Sequence, residues 1–468
     1  MRSDCKAKTS VYLLAYGLSA ALCAPCAQPE TAAHTGQDLF RWDVSGEARA
    51  RYETLNGQFR AQLPANDQGL FFRSLLHLRA VSEHWTAGLE IQDSRSYLTD
   101  SGTPISSSYV NAVDILQAYL KIPADGVFGD KWTGNLKLGR QTLSIGSKRQ
   151  IERVSYANVI KNYTGAYLTL HSERQDEVHV FIAAPLQRRP ADTESLLDNR
   201  LQLDEEAFNR TLAAVHVRRP DALPRLLPGT WGELFAYGLY ERDAYGNQSP
   251  NRRYLTPGFR LYRPRAPNRL DFDIEGALRF GTRRASSAPN DTRDLDVFAS
   301  MLLVRVGYTF DHRWSPNLAL QYYWASGDED PFDNNFDQYE RLFGGRRTDL
   351  NNTSLHGPLT PANLSAPGLR LEMAPTAETT LRLTYSAASL ASSTDAFLKG
   401  RQRDPQGQSG DFLGHAFDSR FTYELAEDRL ELEWGASLFL HREFTRNNPQ
   451  APESSETIFG YMQVTYSF

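Results

Sequence analysis

The last twelve residues, 457–468, read TIFGYMQVTYSF and alternate strictly between two faces. One face carries Ile458, Gly460, Met462, Val464, Tyr466 and Phe468, and the other carries Phe459, Tyr461, Gln463, Thr465 and Ser467. Successive side chains of a β-strand point to opposite sides of a sheet, so the segment is predicted to be a strand. Chain ends usually fray into solvent, whereas the last strand of a bacterial outer-membrane barrel closes the sheet. We therefore predict a closing barrel strand, paired back onto residues 42–52, with a central strand of a soluble sandwich as the alternative.

The same two-residue period recurs along the rest of the chain. Between Trp42 and Tyr52, apolar or small residues at even positions alternate with Asp43, Ser45, Glu47, Arg49 and Arg51. Comparable alternation is present in residues 271–280, 381–386 and 430–441. In a barrel the apolar set faces lipid and the charged set faces a polar lumen. The number of charges on one face of so many strands favours the barrel over the sandwich.

About eighteen alternating segments can be counted, an even number as a bacterial single-chain barrel requires. Their approximate cores are 42–53, 70–81, 85–93, 111–121, 133–140, 164–171, 177–184, 210–218, 231–241, 255–263, 270–280, 295–309, 317–325, 367–374, 379–388, 412–424, 429–441 and 457–468. Connections after odd-numbered segments are long, and most of those after even-numbered segments are tight. Long outer loops and short periplasmic turns are typical of outer-membrane barrels. The predicted fold class is all-β, a closed antiparallel transmembrane β-barrel of about 18 strands that follows a cleaved signal peptide.

The amino terminus carries the features of an exported protein. Arg2, Lys6 and Lys8 precede an uncharged apolar run at 11–22, and small residues follow at Ala24 and Ala27. This order is typical of a secretory signal peptide, and the run is too short to span a bilayer as a helix. We assign residues 1–27 to the signal peptide, 28–40 to a periplasmic amino-terminal segment and 41–468 to the barrel. All three cysteines lie in or beside the leader, so no disulfide is expected in the mature chain.

Composition excludes a helical membrane protein. Mean hydropathy is −0.50, charged residues make up 23%, and no apolar stretch after the leader is long enough for a transmembrane helix. Tyrosine and phenylalanine are plentiful at 22 and 24, which suits a barrel with aromatic girdles around a wet lumen. The net charge of −5 gives no reason to expect a nucleic-acid partner.

Arginine recurs at positions predicted to face the lumen. The set is Arg49, Arg51, Arg73, Arg79, Arg279, Arg305, Arg370, Arg382 and Arg420. Rings of arginine or lysine select anions, because a low-dielectric wall focuses their field on the permeating species. Alternatively, these arginines pair with Glu47, Glu53, Asp271, Glu275, Glu372 and Asp418 across strands and only stiffen the wall. Both readings stay open for any single arginine.

Four stretches of sequence are more specific than the alternating pattern common to all barrels. They are LGRQTLSIGSKR at 138–149, YWASGDEDP at 323–331 followed by Phe336-Asp337-Gln338, EIQDSR at 90–95 and VDILQAYL at 113–120. In this order and over most of the mature chain they resemble the alginate-export family of outer-membrane proteins. The resemblance implies an eighteen-stranded monomeric barrel. In the type member, an arginine-lined, electropositive pore conducts the polyuronate alginate out of the cell.

The resemblance also implies individual residues. Arg140 and Arg149 match the family's Gly-Arg-Gln segment, and Arg95 matches its Gln-Asp-Ser-Arg segment. With the lumenal arginines they make up the predicted substrate-binding set. Asp328 and Asp330 lie in an acidic loop that is a candidate calcium site, since hard cations take several oxygens from one turn, although a solvated acidic loop is the commoner case. No other cofactor is expected, and the ten histidines show no zinc spacing.

One departure from the family pattern bears on the substrate. In the alginate exporter a long periplasmic turn before the penultimate strand acts as a plug, whereas the corresponding turn here is only residues 424–428. The resemblance implies a channel for alginate or a related acidic polysaccharide or oligosaccharide. The short turn favours the alternative, a general or substrate-specific porin for small organic acids or other small molecules that is not dedicated to alginate. Loop 326–366, which carries Gly344-Gly345-Arg346-Arg347, is a candidate to fold over or into the mouth. The expected partners are the outer-membrane bilayer and an anionic sugar or organic acid, with periplasmic secretion components left open.

Two other classes of protein fit the sequence less well. An enzyme in a barrel needs a nucleophile and a base, but His77, His441 and Asp418 follow no order or spacing that matches a barrel hydrolase. A surface adhesin or receptor that uses its loops would be expected to carry a large inserted domain or the amino-terminal plug of nutrient receptors. No large inserted domain is evident in the sequence, and the residues from Gln28 to Leu39 are too few for a plug. The prediction is therefore a channel and not an enzyme.

Overall fold

The computed structural model describes residues 40–244, 248–288, 290–426 and 429–468. Within them, eighteen antiparallel strands form one sheet that closes on itself. The strands are β1 Arg41–Asn56, β2 Asn66–Val81, β3 Thr86–Tyr97, β4 Asn111–Pro123, β5 Trp132–Gln141, β6 Tyr163–Ser172, β7 Glu177–Pro185, β8 Arg210–Arg219, β9 Trp231–Glu241, β10 Arg253–Arg263, β11 Arg269–Arg284, β12 Asp294–Thr309, β13 Asn317–Ala325, β14 Leu364–Thr376, β15 Thr379–Ser389, β16 Phe412–Leu425, β17 Leu430–His441 and β18 Glu456–Ser467. The prediction of a closed barrel of about 18 strands is confirmed.

Closure occurs where the carboxyl-terminal segment was expected to pair. Strand β18 runs antiparallel to β1, with Gln463 opposite Arg51 and Thr465 opposite Arg49. Gly46 and Phe468 extend the ladder by exchanging two backbone hydrogen bonds of 2.9 and 3.1 Å. Because every strand has two neighbours, the wall has no free edge that must be covered in another way.

The predicted alternation fits the burial of side chains. On β1, Trp42 and Val44 are exposed on the outer face while Arg49, Arg51 and Glu53 are buried inside. On β11, Leu278 and Phe280 are exposed outside and Asp273, Glu275 and Arg279 are buried inside. The apolar residues thus face the bilayer, and the charged residues face the interior.

The connections are long at one end of the barrel and short at the other. The long ones comprise 57–65, 98–110, 142–162, 186–209, 242–252, 285–293, 326–363, 390–411 and 442–455. We call this the extracellular end and the opposite end periplasmic, following the usual orientation of such barrels. Two short helices, α1 Thr193–Leu197 and α2 Glu443–Asn447, and a two-residue strand, Asn335–Phe336, lie within the long loops. Among the described residues, no helix is long and apolar enough to cross a membrane.

Two long loops fold into the barrel. Loop 142–162 buries Leu143 and Ile151, and loop 326–363 buries Leu350, Leu355 and Leu359. Their apolar residues pack with inward-facing aromatics of the wall such as Phe71 and Phe459 in one cluster. The hydrophobic core of the protein therefore lies inside the barrel. Loop 326–366, which the sequence marked as a candidate to fold over or into the mouth, contributes to this core.

Two predicted segments cannot be compared with this structure. The signal peptide at 1–27 lies outside the described residues, as does the periplasmic segment 28–40 except for Phe40. The turn between β16 and β17 is short, as the sequence indicates, and its residues 427–428 are likewise outside the described part.

Candidate functional site

A basic cavity of about 530 Å³ lies among the inward-folded loops at the extracellular end. Its lining comes mainly from loops 98–110, 142–162, 326–363 and 390–411. It contains nine basic side chains and a single carboxylate, Glu152. The basic residues are Arg60, Lys161, Arg188, Arg341, Arg346, Arg347, Lys399, Arg401 and Arg420.

Most of these cations are held by carbonyl oxygens and not by carboxylates. Arg60 donates to the carbonyl of Leu355 (2.8 Å), Lys161 to that of Phe343 (2.8 Å), and Arg346 to those of Gly357 (2.6 Å) and Leu359 (2.7 Å). Of the nine, only Arg347 makes an ion pair within the described part of the chain. A carbonyl orients a cation but does not cancel its charge, so the cavity keeps a strongly positive potential.

The cations also act on one another. Repulsion from Arg346, together with burial and repulsion from Arg341 and Arg60, lowers the pKa of Lys399 to about 6. Burial and the neighbouring Arg341 lower the pKa of Arg346 to about 9. Lys161 is shifted in the same direction, by burial first and by Arg341 second, so its pKa lies well below the ordinary lysine value. An anion in this cavity would relieve all of these repulsions.

The predicted lumenal arginines mostly anchor the loops to the wall. Arg49 donates to the carbonyls of Ser155 (3.0 Å), Tyr156 (3.2 Å) and Ala157 (3.1 Å), and to the side chain of Asn158 (3.1 Å). The neighbouring arginines behave alike: Arg51 donates to Tyr156, and Arg73 to Ser155 and Ala157.

The other wall arginines of the set, except Arg79, contact loop 326–363. Arg279 donates to the carbonyl of Glu340, and Arg370 to that of Thr348 (2.6 Å). Arg305 pairs with Asp273 (3.2 Å), and Arg382 pairs with Glu372 (2.7 Å). Arg79 pairs with Asp43 at the periplasmic end. Arg420 is the one member of the predicted set that lines the basic cavity.

The three residues carried over from the family motifs lie apart from one another. Arg149 is buried in loop 142–162 and binds Asp273 (2.7 Å), Glu275 (2.6 Å) and Asp349 (2.8 Å). Arg140 pairs with Asp114 and Glu206. Arg95 pairs with Asp93 on the outer face of β3. None of the three lines the basic cavity. A substrate-binding role for the predicted set stays a prediction.

The alternative of cross-strand pairing holds for part of the set. Glu47 pairs with Arg73 and Glu372 with Arg382 across neighbouring strands. Two further pairs, Glu53 with Arg51 and Glu372 with Arg370, lie within one strand, and Glu372 also pairs with Arg265 of a turn. In contrast, Asp418 accepts hydrogen bonds from Asn352 and Ser437 and pairs with no arginine among the described residues. The wall therefore combines ion pairs with loop anchors.

The two candidate calcium ligands of the acidic loop lie in different environments. Asp328 is buried beside Asp395, whose carboxylate accepts its backbone N–H (3.0 Å), while Asp330 is exposed. Burial and the charge of Asp395 raise the pKa of Asp328 to about 6. Within the described ranges, no group of three or more His, Cys, Asp or Glu side chains is arranged to hold a metal ion. Calcium at this loop stays a prediction.

Sequence analysis missed most of the cavity because its cations come from loops. Arg60, Lys161, Arg188, Arg341, Lys399 and Arg401 lie outside every alternating segment. The available signal was the basic residues of long loops. Of those that line the cavity, sequence analysis singled out only Arg346 and Arg347. Side-chain alternation identifies which wall residues face inward but gives no information on which loops enter the lumen.

A closed eighteen-stranded barrel with an apolar outer belt and a polar interior defines an outer-membrane channel. The chain belongs to the alginate export family, whose model matches residues 40–460. As a member of this family it is a bacterial outer-membrane protein and an outer-membrane channel.

Solved structures share the fold at low sequence identity. OccK9 (OpdG) of Pseudomonas aeruginosa is 13% identical with a TM-score of 0.59, covering 91% of this chain and 98% of its own. OccAB1 of Acinetobacter baumannii is 10% identical at the same TM-score, with coverages of 91% and 96%. OccK2 (OpdF) of P. aeruginosa in complex with glucuronate is 13% identical with a TM-score of 0.56, with coverages of 93% and 99%. No curated protein matches the chain.

Proposed function

We propose that this channel passes anionic solutes, with alginate or a related acidic polysaccharide or oligosaccharide as the first substrate class. The supporting observation is the basic cavity, in which nine basic side chains face one carboxylate. Uronate sugars present one carboxylate per ring, and guanidinium groups bind carboxylates through two parallel hydrogen bonds. Several arginines that line one cavity and make no ion pair among the described residues therefore suit a chain of such units.

Small organic acids are the second candidate. The inward-folded loops confine the cavity to about 530 Å³, and the short turn between β16 and β17 lacks the length of the exporter's plug. The solved structures of OccK2 with glucuronate and OpdK with vanillate each contain a small carboxylate, which makes those two solutes suitable probes.

The test is single-channel recording in planar bilayers under a salt gradient. We expect a reversal potential that indicates preference for chloride over potassium, and block by glucuronate, vanillate and a soluble alginate oligomer. Stronger block by the oligomer supports the saccharide, whereas equal block per carboxylate supports the small acid. A cation-selective current that none of these solutes blocks would contradict the proposal.

A pair of variants connects the current to the cavity. Arg401→Gln removes an exposed cavity cation that has no ion pair among the described residues, and it should lower the anion preference. Arg200→Gln is the matched control, because Arg200 pairs with Glu194 and Asp198 in an outer loop away from the cavity. Equal effects of the two variants would show that the cavity does not set the selectivity.

A further inference from the structure

The basic cavity meets a second cavity on its periplasmic side. This periplasmic vestibule has a volume of about 450 Å³ and shares Ser155, Tyr156 and Arg347 with the basic cavity. The basic cavity opens at the extracellular end, where its lining residues Ser106 and Leu398 are exposed. The vestibule opens at the other end, where Glu424 and Ser467 are exposed. Arg347 thus lies at the junction of two compartments that open on opposite sides.

The two compartments differ in charge. The vestibule is lined by four glutamates, at positions 47, 424, 431 and 433, and by three arginines, including Arg347 itself. Of the other two arginines, Arg73 pairs with Glu47 and Arg49 is bound by oxygens of loop 142–162. An anion therefore encounters a strongly positive cavity from outside and a slightly negative one from the periplasm.

Arg347 is held at the junction by one carboxylate. It donates to Glu433 (2.6 Å) and to the hydroxyl of Tyr461 (2.6 Å), and its guanidinium carbon lies 3.5 Å from the centre of the Tyr156 ring. Its Nε is buried and has no hydrogen-bond partner in the described part of the chain. Although burial opposes it, the charge of Glu433 raises the pKa of Arg347, so the guanidinium stays charged. Arg347 therefore has an unused donor beside Glu433, its one carboxylate partner among the described residues.

We propose that carboxylates cross the junction by replacing Glu433 on Arg347 and that they are captured faster from the extracellular side. The inference rests on the proposed anion channel and adds its central residue and the side of faster capture. Exchange of one carboxylate for another leaves Arg347 compensated throughout, and the hydroxyl of Tyr461, which donates to Glu433 (2.8 Å), is a donor for the displaced carboxylate. Capture is faster from outside because unpaired cations raise the local concentration of anions at the extracellular mouth.

The experiment measures block by tri-galacturonate added to one side of a planar bilayer at a time. The orientation of each channel is determined with the variant Ala377→Cys. It places a thiol in an exposed periplasmic turn, where the thiol reacts only with a membrane-impermeant maleimide added to that side. We expect the association rate of block to be at least about tenfold higher from the extracellular side, within the range that charged clefts produce. Equal rates, or faster block from the periplasmic side, would overturn the inference.

Variants at the junction test the exchange itself. Glu433→Gln leaves Arg347 without its carboxylate, so a bound uronate should stay at least about threefold longer, since loss of a competing partner acts on the dissociation rate. Glu378→Gln is the matched control, because it removes the same charge from an exposed periplasmic turn that lines neither compartment. Heat-modifiable migration on gels verifies that each variant is a folded barrel. An unchanged dwell time in folded Glu433→Gln would overturn the exchange.

The outcomes separate this inference from the function it rests on. An anion-selective channel with equal rates of block from both sides keeps the proposed function and overturns the faster capture from outside. A channel without anion preference overturns both.

Discussion

Lys399 lies among cations in the basic cavity, and repulsion from Arg346 together with burial lowers its pKa to about 6. Its amine is therefore protonated at about pH 5 and neutral at about pH 7.5, so the cavity loses one positive charge as the pH rises. Anion preference should fall across this interval. Reversal potentials recorded in a salt gradient at a series of pH values measure the change.

Two variants assign the pH dependence to this residue. Lys399→Arg keeps its charge at both pH values and should remove most of the pH dependence while retaining high anion preference. Lys399→Met should show the high-pH behaviour throughout. The carboxyl of Glu152 also lines the cavity, and burial raises its pKa. A pH profile that persists in Lys399→Arg would point to Glu152 instead.

For Arg149 we expect a structural role. It is buried and compensates Asp273, Glu275 and Asp349, which belong to the wall and to loop 326–363. Arg149→Met leaves three carboxylates around an apolar side chain, and the loss of stability should be about 3–5 kcal/mol. Urea unfolding in detergent micelles measures this difference.

The control for Arg149 is a pair at the surface. Arg95→Met removes a partner of Asp93 where both side chains are about one-third exposed, so the cost should be about 1 kcal/mol or less. Comparable destabilisation by the two variants would contradict the assignment of Arg149 as a buried anchor.

At the scale of elements, loop 142–162 is held inside the barrel by donors from the wall. Arg49 alone makes four hydrogen bonds to residues 155–158 of this loop. Arg49→Met should loosen the segment that separates the two cavities, giving a larger and noisier single-channel conductance. Loops with few remaining anchors open at low free-energy cost, which explains the expected noise.

Arg79→Met provides the comparison for the loop. Arg79 also belongs to the predicted lumenal set, but it pairs with Asp43 near the periplasmic end and makes no bond to loop 142–162 among the described residues. Its conductance should stay close to that of the unmodified channel. An Arg49→Met channel with the same conductance and noise as Arg79→Met would show that the arginine does not hold the loop.

The parts of the site that lie in loops could not be predicted from the sequence, whereas those on strands could. The alternation of β1 correctly placed Arg49 and Arg51 inside, since the side-chain period of a strand is a local property. Their partners could not be predicted, because Ser155 and Tyr156 are more than a hundred residues away in a loop without a regular period. Arg346 and Arg347 were recognisable as a basic pair, but their position depends on how loop 326–363 packs inside the wall.

For the whole molecule, the fold was largely predictable and the cavity was not. The number of strands follows from the two-residue alternation of side chains, and the order of long and short connections follows from the lengths of the segments between strands. Both patterns recur along the whole barrel. The cavity combines residues from several loops and therefore depends on contacts between distant parts of the chain. The wall of a barrel can thus be predicted from local sequence patterns, whereas the lining of its cavity depends on contacts between residues that are far apart in the sequence.

Closure of the wall depends on a close contact at the seam between β1 and β18. A Cβ atom added to Gly46 would overlap the Phe468 ring and lie 2.7 Å from the backbone oxygen of Leu75. Because the backbone oxygen cannot move without disturbing the ladder to β2, Gly46→Val should hinder closure and reduce the yield of folded barrel. The fraction of heat-modifiable protein after refolding into detergent measures this yield.

Ala48→Val is the matched control for the seam, since it adds a branched side chain two residues further along the same outer face of β1, where Ala48 is exposed. It should refold with the yield of the unmodified chain, because a β-branched residue on the lipid-facing side suits a strand. Equal yields for Gly46→Val and Ala48→Val would show that the Phe468 contact does not limit closure. A selective loss in Gly46→Val would instead make the pairing of the last residue with β1 a requirement for the closed barrel, and hence for the two compartments that meet at Arg347.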